Sequence, residues 1–308
     1  MRKLFLVLFG LLFFTLTNFA AAKVEPYPVG FNISITKINE DRVKRATEAG
    51  IHYIEVGNVI AYLKDGKDGL SQEQIKQKYR DIKALLDQYG MQVWSIHMPF
   101  RDGMDASLLD EEARAKVVAT HKEILQYVAI FNPKIILIHP GSVALAGKRD
   151  EHRAQSVKTA TELLPCVEKI GAKLVVENML NRVPKEGREA TLCCTLEDMK
   201  ILIAAMPKNV YVAIDVNHAK DPQDYIAHFG ERVKSLHISD CDKAGSADCH
   251  FLPGDGSLDF VAIMTALNNA KYQGVYLHEL GEDKYNKDYD FLVRNYNNYY
   301  RKFLKSLK

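Results

Sequence analysis

Histidines and carboxylates follow short apolar runs at regular intervals along the sequence. In "KIILIHPGS", four aliphatic residues lead into His139, and proline and glycine then stop the run. Other apolar runs end in the same kinds of side chain, namely His97, Glu177, Asp215, His237 and Glu279, with His218 three residues after Asp215. The intervals from His97 onward are 42, 38, 38, 22 and 42 residues, about one strand plus one helix in all but one case. These residue types bind cations and transfer protons.

The set is more informative than any of its members. A single histidine or carboxylate at a strand end is usually a hydrogen-bonded core residue, a helix cap or a partner for a lysine. Here three carboxylates and at least three imidazoles occur with no arginine or lysine among them. Burying each unpaired charge costs several kcal/mol, so the pattern predicts a bound divalent cation.

The ligand types indicate which metal to expect. An oxygen-rich set with one nitrogen favours Mn²⁺, with Mg²⁺ as an alternative, and this set is Glu177, Asp215, His237 and Glu279. Additional imidazoles favour Zn²⁺ instead, and the candidates are His97, His139, His218 and His250. Glu55 ends another apolar run; it is expected to line the floor of the site or, as the favoured interpretation, to form a structural salt bridge.

Strands alternate with amphipathic helices along the whole chain after the N-terminus. The strand candidates are Val29–Ile35, His52–Val56, Gln92–His97, Ile135–His139, Leu174–Glu177, Val210–Asp215, Val233–Ile238 and Gly274–Glu279. One helix begins with a capping box at Ser71 and Gln74 and ends at Gly90. Eight nearly unbroken apolar strands, each followed by a helix, predict an α/β protein with a parallel sheet closed as a (β/α)8 TIM barrel. An open doubly wound sheet is less favoured, because no glycine-rich dinucleotide loop follows the first strand.

A barrel would bring the strand tips together, because all of them face its C-terminal mouth. Two long loops, residues 178–194 and 239–257, follow the fifth and seventh strands and are expected to shape the pocket. Arg182 and Arg188 in the first loop could bind an anionic or hydroxylated ligand, although solvated loop arginines are the commoner case.

Residues 1–22 have the features of a cleaved secretory signal. Arg2 and Lys3 precede an apolar run, residues 4–16, and three alanines end the segment. The run is shorter than the roughly 20 residues that a membrane-spanning helix needs, and an uncleaved anchor is the less favoured interpretation. The mature chain, residues 23–308, is therefore expected to be a single barrel domain that a bacterium exports to the periplasm or secretes, with no stable membrane insertion after cleavage.

Charge and cysteine content narrow the classes of partner. The first 22 residues hold two of the 41 basic residues and none of the 39 acidic ones, so the mature chain has 39 of each. This balance argues against a nucleic-acid partner, because phosphate-binding proteins usually carry a basic excess.

The five cysteines are too few and too irregular for a disulfide framework. Cys241 and Cys249 either bridge within one loop or remain two thiols.

Several motifs, taken in order, resemble those of the xylose isomerase-like barrels, a group of sugar isomerases and epimerases together with endonuclease IV-type AP endonucleases. The motifs are "IHM", "IHPGS", "VEN", "IDVNHA", "LHISD", "DCHFLPGDGSLDF" and "HEL", and they span essentially the whole mature chain. In ketose epimerases of this group one divalent ion lies between two glutamates, an aspartate and a histidine, and the glutamates exchange protons with the substrate. The resemblance thus implies metal ligands at Glu177, Asp215, His237 and Glu279, with Glu177 and Glu279 catalytic.

The repair nucleases of the group bind three zinc ions through additional ligands. The resemblance assigns those positions, as additional metal ligands or substrate-binding residues, to His97, His139, His218, Asp248 and His250. One departure concerns the substrate, because epimerases of the group carry an arginine shortly after the seventh-strand histidine. This chain has "SDCDKAGSADCH" there, so the resemblance does not transfer a particular sugar.

The expected chemistry is proton abstraction next to the carbonyl of a keto-sugar. A cation chelated by the carbonyl and an adjacent hydroxyl acts as a Lewis acid and stabilises the enediolate. A carboxylate can be the base when crowding by like charges raises its pKa toward the operating pH. Two glutamates on opposite faces permit epimerisation or isomerisation, whereas loss of a β-leaving group gives a lyase or hydratase acting on a 3-keto-sugar. The sequence is also compatible with a zinc phosphodiesterase and with a non-catalytic carbohydrate-binding barrel.

Overall fold

The computed structural model describes residues 24–64, 70–101, 103–182, 186–242, 247–281 and 288–308. The expected signal, residues 1–22, lies outside the described residues. Among the helices that the structure describes, none has the length and apolar character needed to cross a membrane.

Eight parallel strands form a sheet that closes on itself. The strands of the described residues are β1 (Val29–Ser34), β2 (Tyr53–Gly57), β3 (Gln92–His97), β4 (Ile135–Ile138), β5 (Val143–Leu145), β6 (Lys173–Glu177), β7 (Arg188–Thr191), β8 (Val210–Asp215), β9 (Val233–His237) and β10 (Tyr276–His278). The order around the sheet is β10-β1-β2-β3-β4-β6-β8-β9. The backbone of Ile238 closes the barrel, since its N–H donates to Leu277 O at 2.8 Å and its carbonyl accepts from Glu279 N at 3.0 Å. The predicted TIM barrel is confirmed.

Helices follow the strands and pack outside the sheet. The α-helices of the described residues are α1 (Glu40–Glu48), α2 (Ala61–Lys64), α3 (Gln72–Gln88), α4 (Glu111–Val128), α5 (Arg149–Lys169), α6 (Leu196–Ala205), α7 (Pro222–Phe229), α8 (Phe260–Asn269) and α9 (Tyr289–Ser306). The predicted capping box is confirmed, because Ser71 Oγ accepts from Gln74 N and Gln74 Oε1 accepts from Ser71 N. Such caps satisfy backbone groups that a helix start leaves unpaired.

The strand alternation explains why polar side chains reach the barrel interior. Leu137, Val175 and Ala213 form a small apolar cluster, which also contains Ile135 and packs against Trp94 and Tyr211. Each of the first three lies two residues before His139, Glu177 or Asp215 in sequence, and residues two apart on a strand share a face. The same alternation therefore places an apolar layer inside the barrel and the polar residues one layer above it, at the C-terminal mouth.

Two short strands lie where the sequence predicts loops. β5 and β7 pair antiparallel across the mouth, with Val143 opposite Thr191 and Leu145 opposite Arg188. Residues 178–194 are predicted as one loop, and "REAT" within it shows no apolar alternation. β7 forms because its backbone pairs with β5, which lies more than 40 residues away in sequence, and not because of its own residue pattern. Two predicted strand tips, His139 and Glu279, lie just beyond β4 and β10.

Candidate metal centre and active site

Four side chains from separate strands meet at the barrel mouth. Glu177, Asp215 and His237 end β6, β8 and β9, and Glu279 follows β10; one ligand atom from each lies within 4.8 Å of all the others. His237 Nδ1 lies 2.8 Å from Glu177 Oε1 and 2.8 Å from Glu279 Oε2. The structure thus brings together the four residues that the sequence selects as primary metal ligands.

The oxygens of this group are suited to a cation. Glu177, Asp215 and His237 are at most 1 % exposed, and Glu177 Oε2 and Asp215 Oδ2 have no hydrogen-bond partner among the described residues. Each of these two oxygens has an imidazole nitrogen within 3.2 Å but outside hydrogen-bonding geometry. Buried carboxylate oxygens without partners are costly, and a hard or borderline divalent cation would satisfy them. The donor set, three carboxylates and one imidazole, fits Mn²⁺ or Zn²⁺.

The charges of the group are strongly coupled. Burial alone would raise the pKa of both glutamates, but the adjoining His237 outweighs it: the pKa of Glu177 is held well below its ordinary range, and that of Glu279 is lowered to about 2. Burial, together with Glu279 and Glu177, raises the pKa of Asp215 to about 6. The sequence predicts that crowding raises the pKa of these carboxylates. The pKa is raised only at Asp215, because the His237 imidazole lies against both glutamates and lowers the pKa of each.

Glu55 lies directly behind His237. It is 1 % exposed, its Oε1 lies 2.9 Å from His237 Nε2, and its Oε2 accepts a hydrogen bond of 2.7 Å from Ser95 Oγ. The salt bridge expected for Glu55 is therefore present, and its partner is a candidate metal ligand. A carboxylate on one imidazole nitrogen orients the ring so that the other nitrogen faces the metal. The sequence signal exists, since Glu55 interrupts the apolar segment "YIEVG", but the structure places it in the middle of β2 and not at its end, and its partner cannot be read from the sequence.

A second group of candidate ligands adjoins the first and shares Glu177 with it. His97, His139 and Glu177 each offer an atom within 4.8 Å of the others. His139 Nε2 lies 3.0 Å from Glu177 Oε2 and 3.3 Å from His97 Nε2. Burial lowers the pKa of His139 despite the neighbouring glutamate, so this imidazole tends to be neutral, the form that binds metals.

A third group lies on the other side of Asp215. His250 Nε2 lies 2.7 Å from Asp248 Oδ1, and His218 Nε2 lies 3.2 Å from Asp215 Oδ2 and 3.8 Å from Asp248 Oδ1. Burial alone would lower the pKa of both imidazoles, but the carboxylates outweigh it and raise the pKa of His218 to about 10 and that of His250 to about 9. Arg182 reaches this edge, 4.0 Å from Asp248 and 60 % exposed.

Asn178 gives the "VEN" motif a structural role that its sequence alone does not reveal. Asn178 is fully buried; its Oδ1 accepts from Asp215 N at 2.8 Å, and its Nδ2 donates to Asp215 O at 2.9 Å. Its backbone carbonyl lies 3.0 Å from His218 Nδ1. One side chain thus fixes the backbone of Asp215 next to Glu177, and its carbonyl orients an imidazole of the third group.

The "PGDG" turn is held by Asp240. This fully buried carboxylate accepts backbone hydrogen bonds from Cys241, Gly254, Gly256 and Leu258, at 2.8 to 3.1 Å. A Cβ on Gly256 would approach the Cys241 backbone to 2.6 Å, so only glycine fits. Cys241 and Cys249 form a disulfide, which decides between the bridge and the two thiols that the sequence allows. Both features fix the segment that carries Asp248 and His250.

Two cavities adjoin the candidate metal centre. One of about 350 Å³ is lined from the ends of β1, β2 and β3, and the other, of about 410 Å³, from the segments after β3, β4, β6, β8 and β9. Glu279 lines both cavities, and Glu177 lines the larger one. Arg182 lines the larger cavity as well, whereas Arg188 lies in β7 and lines neither.

Comparison with protein families identifies the fold group. The model of the xylose isomerase-like TIM barrels matches residues 43–295. The chain belongs to this family. The resemblance drawn from the motifs is therefore confirmed, and the match covers every candidate ligand.

Individual relatives of this xylose isomerase-like protein include sugar epimerases. Fructoselysine 3-epimerase from Escherichia coli O157:H7 is 25 % identical over 250 residues, which are 78 % of this chain and 85 % of that one. A 3-keto-D-glucoside 4-epimerase from E. coli has a similar structure, with a TM-score of 0.66 and 16 % identity over 88 % of this chain and 99 % of that chain. The IolI protein with a bound zinc atom has a TM-score of 0.69 and 15 % identity over 91 % of this chain and 98 % of that chain. The two solved structures show the same fold, and the fructoselysine 3-epimerase relative supports a sugar-modifying enzyme.

Proposed function

We propose that this protein is a divalent-metal-dependent epimerase or isomerase of a keto-sugar. The observation that carries the proposal is the convergence of Glu177, Asp215, His237 and Glu279 within 4.8 Å, with Glu279 lining both cavities and Glu177 lining the larger one. The epimerase relatives support the sugar substrate and the reaction type.

The two glutamates are the proposed acid–base pair. In the metal-free protein both are ionised at neutral pH, because His237 lowers the pKa of each, and an ionised carboxylate can accept a proton. Glu279 Oε1 receives a long hydrogen bond of 3.4 Å from Asn32 Nδ2, and Glu177 Oε2 receives none from the described residues. In the proposal each glutamate binds the metal through one oxygen and uses the other to take a proton from a carbon next to the substrate carbonyl and to return it.

The metal is proposed to be Mn²⁺, held by Glu177, Asp215, His237 and Glu279, with Zn²⁺ or Mg²⁺ as alternatives. When bound, it would supply Lewis acidity to the carbonyl and adjacent hydroxyl of the sugar. Asp215 contributes an oxygen whose backbone Asn178 holds in place, and Glu55 fixes the His237 ring. The imidazoles of the second group line the larger cavity, and we propose that they contact sugar hydroxyls there.

The proposal includes export of the enzyme, with residues 1–22 removed as a signal. The Cys241–Cys249 disulfide supports it, because disulfides persist in oxidising compartments such as the periplasm. Intact-mass measurement of protein purified from the periplasm of a bacterial host should give a chain beginning at Lys23. A periplasmic protein that retains Met1, or one found only in the cytoplasm, would contradict export.

Deuterium exchange tests the reaction. The Mn²⁺-loaded enzyme is incubated in D2O with free ketoses and 3-keto-glucose, and mass spectrometry follows incorporation. We expect one deuterium at a carbon next to the carbonyl, lost in Glu177→Gln and Glu279→Gln but retained in Glu231→Gln, an exposed glutamate that pairs with Lys271. A product lighter by one water would favour a lyase or hydratase. No exchange with tight sugar binding would favour a binding protein.

A zinc phosphodiesterase is the second candidate, and the second and third ligand groups favour it. Each lies beside the primary group, one sharing Glu177 and the other contacting Asp215, an arrangement that could hold three ions. Metal analysis of the purified protein discriminates between the two proposals. Three tightly held zinc ions per chain with cleavage of abasic DNA would replace the sugar reaction, whereas one ion and no cleavage would support it.

A further inference from the structure

The two cavities differ in position and meet at the metal centre. We call the one of about 350 Å³, lined from β1, β2 and β3, the β1–β3 cavity, and the one of about 410 Å³ the β4–β9 cavity. Four residues line both: His97, Phe100, Arg101 and Glu279. Each cavity alone falls within the roughly 300–1,000 Å³ of typical small-molecule sites, so a single monosaccharide would occupy one and leave the other empty.

The walls of the two cavities have different chemistry. The β1–β3 cavity is lined away from the metal centre by apolar side chains and a few neutral polar ones: Ile33, Ile60, Met98, Pro99, Ser34 and Asn58. Arg101, shared by both cavities, carries the one formal charge among its described lining residues besides Glu55 and Glu279 at the centre. The β4–β9 cavity also has apolar lining residues, among them Met104, Met179 and Leu180, but it adds polar and charged groups that the other cavity lacks: Asp105, Ser142, Arg182 and the imidazoles His139, His218 and His250. The wall of the β4–β9 cavity suits the many hydroxyls of a sugar, and the wall of the β1–β3 cavity suits a group with an apolar face.

An aromatic residue stands where the cavities join. The Phe100 ring stacks on His139, with centroids 3.9 Å apart and planes at 26°, and lies 5.2 Å from the His97 ring. The Arg101 guanidinium lies over the same ring, 5.2 Å from its centroid. These contacts fix Phe100 between the two spaces. A ligand that fills both would therefore have one part on each side of Phe100, joined beside the candidate metal centre.

We propose that the substrate is a keto-glycoside, whose sugar ring lies in the β4–β9 cavity and whose aglycone, a group with an apolar face, lies in the β1–β3 cavity. This inference rests on the proposed function, because the sugar ring must present its carbonyl to Glu177 and Glu279. It adds a second binding site to the reaction and a preference for substituted over free sugars.

Gly57 offers a direct way to close the second site. It lines the β1–β3 cavity at the end of β2, its φ is not in the left-handed region, and an added Cβ would meet only His97 Cβ, at 4.0 Å. Gly57→Val therefore fills space in the cavity without a backbone clash. Ser34→Phe provides a second variant from a different strand. Ala154→Val adds the same branched side chain on the exposed face of α5 and is the matched control.

The experiment compares kcat/KM for 3-keto-glucose and 4-nitrophenyl 3-keto-glucoside, with deuterium exchange as the readout. We expect the wild type and Ala154→Val to prefer the glycoside at least tenfold. Gly57→Val and Ser34→Phe should lower kcat/KM for the glycoside at least tenfold more than for the free sugar. Equal kcat/KM for the two substrates in the wild type would overturn the inference and leave the proposed function standing, as would a preference that neither variant changes. Exchange with neither substrate would overturn both.

Discussion

Replacing Glu55 by glutamine tests how the protein prepares His237 for a metal. The carboxylate lies 2.9 Å from His237 Nε2 at a buried position, and Ser95 Oγ holds its other oxygen at 2.7 Å. A negative acceptor keeps a hydrogen on Nε2, so that Nδ1, which faces the two glutamates, is the nitrogen that loses its proton when a metal binds. Glutamine has the same shape but no charge. Its amide can also donate to Nε2, which would favour the hydrogen on Nδ1, where the metal should bind.

The expected loss of Mn²⁺ affinity follows from what carboxylate partners of metal-binding histidines contribute in other metal sites. Loss of a partner behind a metal-binding histidine lowers metal affinity by about 10- to 100-fold, which corresponds to about 1.4–2.7 kcal/mol. We expect this loss for Glu55→Gln in calorimetric titrations of the metal-free protein with Mn²⁺. Ser95→Ala should give a smaller loss, because the carboxylate remains and only its support is removed.

Glu231→Gln is the control, since Glu231 is exposed and remote from the barrel mouth. A folded Glu55→Gln protein with the Mn²⁺ affinity of the wild type would refute the role assigned to Glu55. Circular dichroism and thermal unfolding of the metal-free variant establish that it is folded, so the affinity is read separately from stability.

Three further predictions concern stability, each measured by urea unfolding. Replacing both Cys241 and Cys249 by serine should lower the free energy of unfolding by about 2–3 kcal/mol, and reductant should have this effect only on the wild type. Asp240→Asn should cost about 1.5–3 kcal/mol, because a buried charge accepting several backbone N–H groups is replaced by a neutral amide; an unchanged free energy would contradict this. Burial lowers the pKa of His121, so the unfolded chain binds more protons below about pH 6.5 and stability falls as the pH drops through that value. His121→Phe should remove up to about 1.4 kcal/mol per pH unit of this slope, and an identical slope would exclude the effect.

The barrel could be predicted because each of its strands carries a local signal. Parallel strands buried on both faces are continuous apolar runs, and helix caps such as Ser71 mark the boundaries between elements. The pairing of β5 with β7 could not be predicted, because it depends on contacts between two segments of only three and four residues that are more than 40 residues apart. His139 and Glu279 lie beyond their strands since hydrogen bonding, and not side-chain type, decides where a strand ends.

The candidate ligands were predictable for a geometric reason. In a closed parallel barrel every strand tip reaches the same mouth, so residue type and position suffice to group Glu177, Asp215 and His237. The residues that hold these ligands in position have no comparable signal in the sequence. The roles of Asn178 and Phe100 depend on a backbone clamp and a ring stack that only the folded loops create. The direction of the glutamate pKa shifts could not be predicted, because the sequence does not show that His237 lies against both.

Anomalous X-ray scattering from crystals soaked in Mn²⁺ tests the central claim most directly. Data collected at the manganese edge locate the ion independently of any activity. We expect a strong peak within bonding distance of Glu177, Asp215, His237 and Glu279. A manganese peak elsewhere, or no peak at a barrel mouth that the crystal packing leaves open to solvent, would contradict metal binding by these four residues.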